Sequence, residues 1–247
     1  REYDSVGMMN LNIIAGKRKG ENMDKPYFPA GSGMVPEAFA IALMICGPNK
    51  SVEEYIACFK ENVTWVKGMK TAERRLAFKR GELTGTRENP ATYKKHVEPD
   101  TNAELWFHHG LLQPDGSHAD DTNYPSGYQV EQIFKERWGV EPSGEFYDAY
   151  KLVKSFRDGL QKALWVNKDN PNRDKLAAAL TAMSKDPDAI AALIRKNGDY
   201  DWYIGEAGDA QRDKLLTFVT ANTLQNLVKF NSEALGLASV YKESLVD

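Results

Sequence analysis

The stretch from Val63 to Pro90, VTWVKGMKTAERRLAFKRGELTGTRENP, constrains the fold more than any other part of this chain. It reads as strand, turn, helix, turn, strand. Val63, Thr64, Trp65 and Val66 are β-branched or aromatic and suit a half-buried pleated surface. Lys67-Gly68 breaks that run, and Thr71 can cap the helix that follows. Leu76 and Phe78 give this helix an apolar side opposite Glu73, Arg74, Arg75 and Lys79, and Gly81 stands where a left-handed C-cap belongs. Leu83-Thr84 would open the next strand. A β-α-β unit of this kind builds a parallel sheet, and such sheets offer ligand sites at the carboxyl ends of their strands.

The loop at that end, Thr84 to Asn89, is therefore the first candidate site. The hydroxyls of Thr84 and Thr86, the backbone N–H groups around Gly85, the Arg87 guanidinium and the Asn89 amide suit a carboxylate, held by charge-assisted hydrogen bonds. The Gly-Ser loop Ala30 to Gly33, with Ser32 at its centre, can present backbone N–H groups to an anion. Tyr128 is a candidate cleft aromatic, as are Trp106, Tyr124, Trp165 and Trp202.

Around this unit, apolar runs alternate with helical periods. Strands are expected within Tyr3–Ala15 and over Phe39–Ile45, Leu105–Leu112, Leu160–Val166 and Asp199–Ile204, with a loop over Asn22–Gly33. Helices are expected from Ser51, which forms a capping box with Glu54, and over Ala91–Val97, Tyr128–Trp138, Gly144–Phe156, Arg173–Met183, Pro187–Lys196 and Gln211–Phe230. Strands alternating with helices imply an α/β class with a mostly parallel sheet.

Several functions are disfavoured by composition. A net charge of −3 argues against a general nucleic-acid binder, which needs concentrated positive charge. No apolar run approaches the about 18 residues that a membrane helix needs. Cys46 and Cys58 lack metal-ligand spacing with any histidine; two buried free thiols are the expected state, with a bridge between them the alternative. His108-His109 is the one histidine pair. Adjacent strand residues face opposite ways, so they do not share a metal, and His96 and His118 read as surface residues. Asp115, Asp120 and Asp121 read as a solvated acidic loop. There is no nucleophile elbow, no phosphate loop and no dinucleotide fingerprint, so no catalytic residue, metal or cofactor is expected and the chain does not read as an enzyme.

Three segments resemble a known family. GMKTAERRLAFKRGELTG (68–85) is similar to a Glu-x-Arg-Leu-Ala … Arg-Gly-Glu segment of the extracytoplasmic solute receptors of tripartite tricarboxylate transporters. WGVEPSGEFYDAY (138–150) resembles a Pro-Ser-Gly-Glu segment in one branch of that family. LQKALWVNKDNP (160–171), with Lys185-Asp-Pro187 after it, resembles the family's returning strand and helix starts. The resemblance implies a two-lobed, periplasmic-binding-protein-like α/β receptor with a helical carboxy-terminal region. Its first lobe would comprise residues 1–60 and 165–247, and its second residues 61–164. It implies capture of a small organic acid for membrane transporter subunits, in the periplasm, without nucleic acid or membrane insertion. No signal peptide is visible. Thr84 stands where that family often has an Asp, and Phe59–Asn62 is shorter than the family's segment there, which raises an alternative: an accessory subunit with a receptor-like fold that has lost its ligand.

Overall fold

A computed structural model describes residues 17–18, 21–22, 27–29, 34–88, 90–100, 105–112, 118–121, 124, 126–160, 166–167, 169–197, 202–217 and 219–237. Its organising element is helix α1, Val35–Cys46, in which all twelve residues are buried. Phe39–Ile45, expected as a strand, lies inside this helix. The run is apolar on every side, so periodicity cannot tell strand from helix. Ala38, Ala40, Ala42, Leu43 and Met44 are strong helix formers, and Pro36 is pre-set for a first turn.

Helix α2, Val52–Asn62, follows a short link and packs back on α1. Its expected capping box is present: Glu54 N–H donates to Ser51 Oγ at 3.3 Å and Ser51 N–H to Glu54 Oε2 at 2.7 Å. Once both segments are helices, Cys46 at the end of α1 comes to a Cα separation of 6.0 Å from Cys58, and the two form a disulfide rather than free thiols. Helices α3 (Thr71–Lys79) and α4 (Pro90–His96) follow, then α5 (Val130–Trp138) and α6 (Glu145–Leu160). The last four are α7 (Arg173–Met183), α8 (Pro187–Asn197), α9 (Glu206–Leu216) and α10 (Ala221–Glu233). Helix α1 packs on α2, α5 and α6, while α10 closes over α6 and α2. The centre is aromatic: Tyr55 stacks on Phe146 at 3.9 Å between ring centroids, and Phe39 meets Phe146 at 4.8 Å and Phe230 at 4.5 Å. The open carbonyls at the end of α1 are met by side chains, Trp138 Nε1 donating to Met44 O at 3.1 Å and Tyr55 OH to Gly47 O at 2.6 Å.

The two-lobed α/β architecture is overturned by this arrangement. Helix dominates, and among the described residues strands run for two or three residues and pair only two at a time. β1 (Lys17–Arg18) pairs with β2 (Glu21–Asn22), β3 (Tyr27–Pro29) with β4 (Thr64–Val66), and β5 (Leu111–Leu112) with β6 (His118–Ala119). The β3–β4 pair is parallel and contains Thr64–Val66 of the expected Val63–Val66 strand, Val63 being the C-cap of α2; its partner comes from a segment expected to be loop. Helix α3 also forms, and Gly81 adopts φ +74° just past its end, as a left-handed cap does. Its start is capped differently: Lys70 N–H donates to Glu73 Oε2 at 2.8 Å, and Thr71 is the first helical residue. Leu76 is exposed, and Ala77 takes the buried position. No strand follows at Leu83-Thr84, because the three residues between Gly81 and Gly85 are too few to extend a ladder. Leu105–Leu112 shrinks to β5 and one bridge from His108 to Gln129. Leu160, expected to open a strand, ends α6 instead, residues 161–165 lie outside the described residues, and the 211–230 helix divides into α9 and α10. Residues Tyr3–Ala15, Trp165 and Asp199 lie outside the described residues.

Candidate anion-binding site

The site is centred on Glu37, a single acid in the first turn of an otherwise apolar helix. The positive end of the α1 dipole favours a carboxylate there. Only 6% of the residue is exposed. Its Oε1 accepts from Arg157 Nη1 at 2.5 Å, lies 3.0 Å from Arg87 Nε and is approached by His109 Nε2 at 3.6 Å. Three different segments supply these donors: the loop after α3, the stretch after α4, and α6. Burial pushes the Glu37 carboxyl up, but Arg157, His109 and Arg87 together hold it down at about 2.

Arg87, the residue singled out from the sequence, is thus drawn inward. The short turn after Gly81 brings Thr84–Glu88 back across α3. There Arg74 Nη2 donates to Arg87 O at 3.0 Å, and Arg75 grips Glu88 with two bonds of 2.7 and 2.9 Å. The Arg74, Arg87 and Arg157 guanidiniums face the Glu37 and Glu88 carboxylates, three charges against two. Among the described residues in these contacts, one positive charge is left over before Arg75 is counted. Burial lowers the pKa of Arg87, so its charge is held in poorly solvated surroundings. Among the described residues, Thr86 Oγ1, Arg74 Nε and Arg157 Nε are buried and have no hydrogen-bond partner. Polar groups in that condition are costly unless something fills their valence.

His109 links this cluster to a second layer. Its Nδ1 lies 2.8 Å from Tyr150 OH, so the phenol donates to Nδ1 while Nε2–H points at Glu37. Burial lowers the pKa of His109 more than Glu37 raises it. His108 faces the other way, as adjacent extended residues do: Nε2 lies 3.2 Å from Asp120 Oδ1 and the ring stacks on Tyr124. Gly110, at φ +79°, makes the turn between the histidines and β5; a Cβ there would meet Ala119 O at 2.5 Å. His118, expected at the surface, is buried instead, with Nε2 3.3 Å from Asp158 Oδ2. Asp121 is buried too, so this loop is not merely a solvated acidic one. Beneath it, the fully buried Lys154 donates to Glu131 Oε1 at 2.9 Å, which Tyr147 OH also reaches at 3.2 Å.

Of the sequence-derived candidates, Arg87 belongs to this cluster, Thr86 precedes it in the loop with its Oγ1 buried, and Thr84 is half-buried in the same loop. Tyr128 is half-buried, and its carbonyl accepts from His108 N–H at 2.9 Å. Ser32 and Asn89 lie outside the described residues. Sequence reasoning missed Glu37, Arg157, His109's partner Tyr150, and Arg74. Two signals were present: a single Glu opening a long apolar run, and the spacing Tyr147, Tyr150, Lys154, Arg157, Asp158, which lays polar groups along one side of α6. Among the described residues, no cluster of three or more His, Cys, Asp or Glu is placed to hold a metal, and no helix is long and apolar enough to cross a membrane. Comparison with family profiles, curated proteins and solved structures finds no match to this chain.

Proposed function

We propose that the chain captures a small organic anion, a carboxylate, outside the cytoplasm and delivers it to a tripartite membrane transporter. The observation that carries the capture step is the surplus of guanidinium charge around Arg87, together with the buried, unpartnered donors of Thr86, Arg74 and Arg157. Such donors complete their hydrogen bonding on a carboxylate. Delivery to a transporter rests on the family-like segments 68–85, 138–150 and 160–171. The Cys46–Cys58 disulfide supports an oxidising compartment such as the periplasm.

A second reading has one observation in its favour. Glu37 already neutralises much of Arg87 and Arg157, as it would in an accessory protein that keeps the scaffold without a ligand. A thermal-shift screen of mono-, di- and tricarboxylates separates the two. The receptor reading expects at least one to raise the unfolding midpoint, and Arg87→Ala to abolish the shift. No shift with any carboxylate would favour the accessory reading.

A further inference from the structure

Helices α7 and α8 differ from the helices around the core: none of their described side chains is buried. Each helix has 11 residues. A helix that short is marginal in water and draws most of its stability from packing an apolar face. On α8 such a face exists. Ile190, Ala191 and Ile194 fall on one stripe at the helical period, with Leu193 along one edge of it. Ile194 is 41% exposed and the other three are half-buried. The opposite edge is charged. Asp188 and Arg195 share it, one near each end of the helix. Both are exposed, and among the described residues neither side chain has a hydrogen bond or an ion pair. The Asp186 carboxylate, by contrast, is already in use as a cap, accepting from the backbone N–H groups of Asp188 and Ala189 at 2.9 and 3.1 Å.

This face is complementary to itself. Turned end for end about a two-fold axis through the middle of α8, a second copy sets its Arg195 against Asp188 and its Asp188 against Arg195, on the same edge and at the same height. Ile190 of each copy then lies beside Ile194 of the other. The small Ala191 sits near the axis, where the two helices come closest. A parallel pairing would instead set like charge against like. We infer that α8 is a homodimer interface, an antiparallel contact between two copies of this helix that covers Ile190, Leu193 and Ile194 and forms the Asp188–Arg195 pair twice. A contact in which the same surface serves both copies closes at two. The inference is independent of the anion-binding reading, because no residue of α8 belongs to the Arg87 cluster.

The test is sedimentation equilibrium of the full chain over a range of concentrations, with circular dichroism to report helicity. The wild type is expected to show a monomer–dimer equilibrium that weakens as salt is raised. Ile194→Glu, which puts a charge into the covered stripe, is expected to weaken the dimer about a hundredfold. Asp188→Arg or Arg195→Asp alone sets like charges together at both crossings and is expected to weaken it about tenfold. The two reversals combined restore opposite charges and are expected to bring association back to within about twofold of the wild type. The same charges also suit the dipole of α8 itself, acid at its start and base at its end. If that were their whole effect, the double reversal would be the least helical and least associated of the three variants, and that result would overturn the inference. A wild type that stays monomeric at every concentration would overturn it and leave the stripe to some other partner. A dimer unaffected by a folded Ile194→Glu variant would overturn it as well.

Discussion

Glu37 and Glu53 lie on neighbouring helices, and both titrate near 2, yet they rest on different physics. Glu53 is exposed on α2. Its hydrogen bond with Lys229 of α10 is the largest cause of its shift, and both partners are well solvated. Glu37 is buried in α1, so desolvation works against its charge, and it stays ionised only because Arg157, His109 and Arg87 converge on it. In water-like surroundings an ion pair is easily made and easily lost; in a dry interior each charge depends on its partners. The same titration position therefore marks a surface contact in one region and a buried charge cluster in the other.

The largest effect follows from removing the buried member. Glu37→Ala leaves Arg87 and Arg157 without their acid and is expected to cost about 3–5 kcal/mol in denaturant unfolding. A loss under about 1 kcal/mol would mean that those arginines are better solvated than the geometry shows. Next is the Cys46–Cys58 bridge, which ties α2 to the opposite end of α1 from this centre. Cys58→Ser, or reduction of the wild type, is expected to cost about 2–4 kcal/mol. Acid should act in two steps with the same sign. His108, His109 and His118 all have folded pKa values lowered by burial from 6.5, so the unfolded chain binds their protons first and stability falls as pH drops below 6.5. Glu37, at about 2 against 4.5, adds a further loss between 4.5 and 2. Urea midpoints measured from neutral to acid pH read both windows, and stability that is flat down to pH 4.5 would contradict the burial of the histidines. The smallest effect belongs to the exposed pair: Glu53→Gln is expected to leave the midpoint unresolved from wild type, and a fall as large as that of Glu37→Ala would break the comparison.

Local chemistry was legible in the sequence wherever one or two residues decide it. The Ser51–Glu54 capping box, the Gly81 cap, the Thr64–Val66 strand and the Arg173–Met183 helix form much as their residues dictate. Arg87 was legible as a charged loop residue with threonines beside it. What was not legible depends on long-range packing. The Ala38–Cys46 run is apolar all round, so only its burial among α2, α5 and α6 decides that it is helical. That one element carries the fold class with it, since a strand there would have begun a sheet. Glu37 is separated by fifty residues from Arg87 and by 120 from Arg157, and no local pattern announces that they meet. The disulfide was hidden for the same reason: whether Cys46 and Cys58 come together depends on α1 being a helix.

The central claim is that the Arg87 cluster holds a small organic anion. Titration calorimetry of the wild type and of Arg87→Ala with a panel of carboxylates tests it most directly, with circular dichroism to show that the variant remains folded. The expected result is a saturable one-to-one heat for at least one carboxylate in the wild type, lost in Arg87→Ala. An absence of saturable heat for every carboxylate, or binding unchanged by Arg87→Ala, would contradict it.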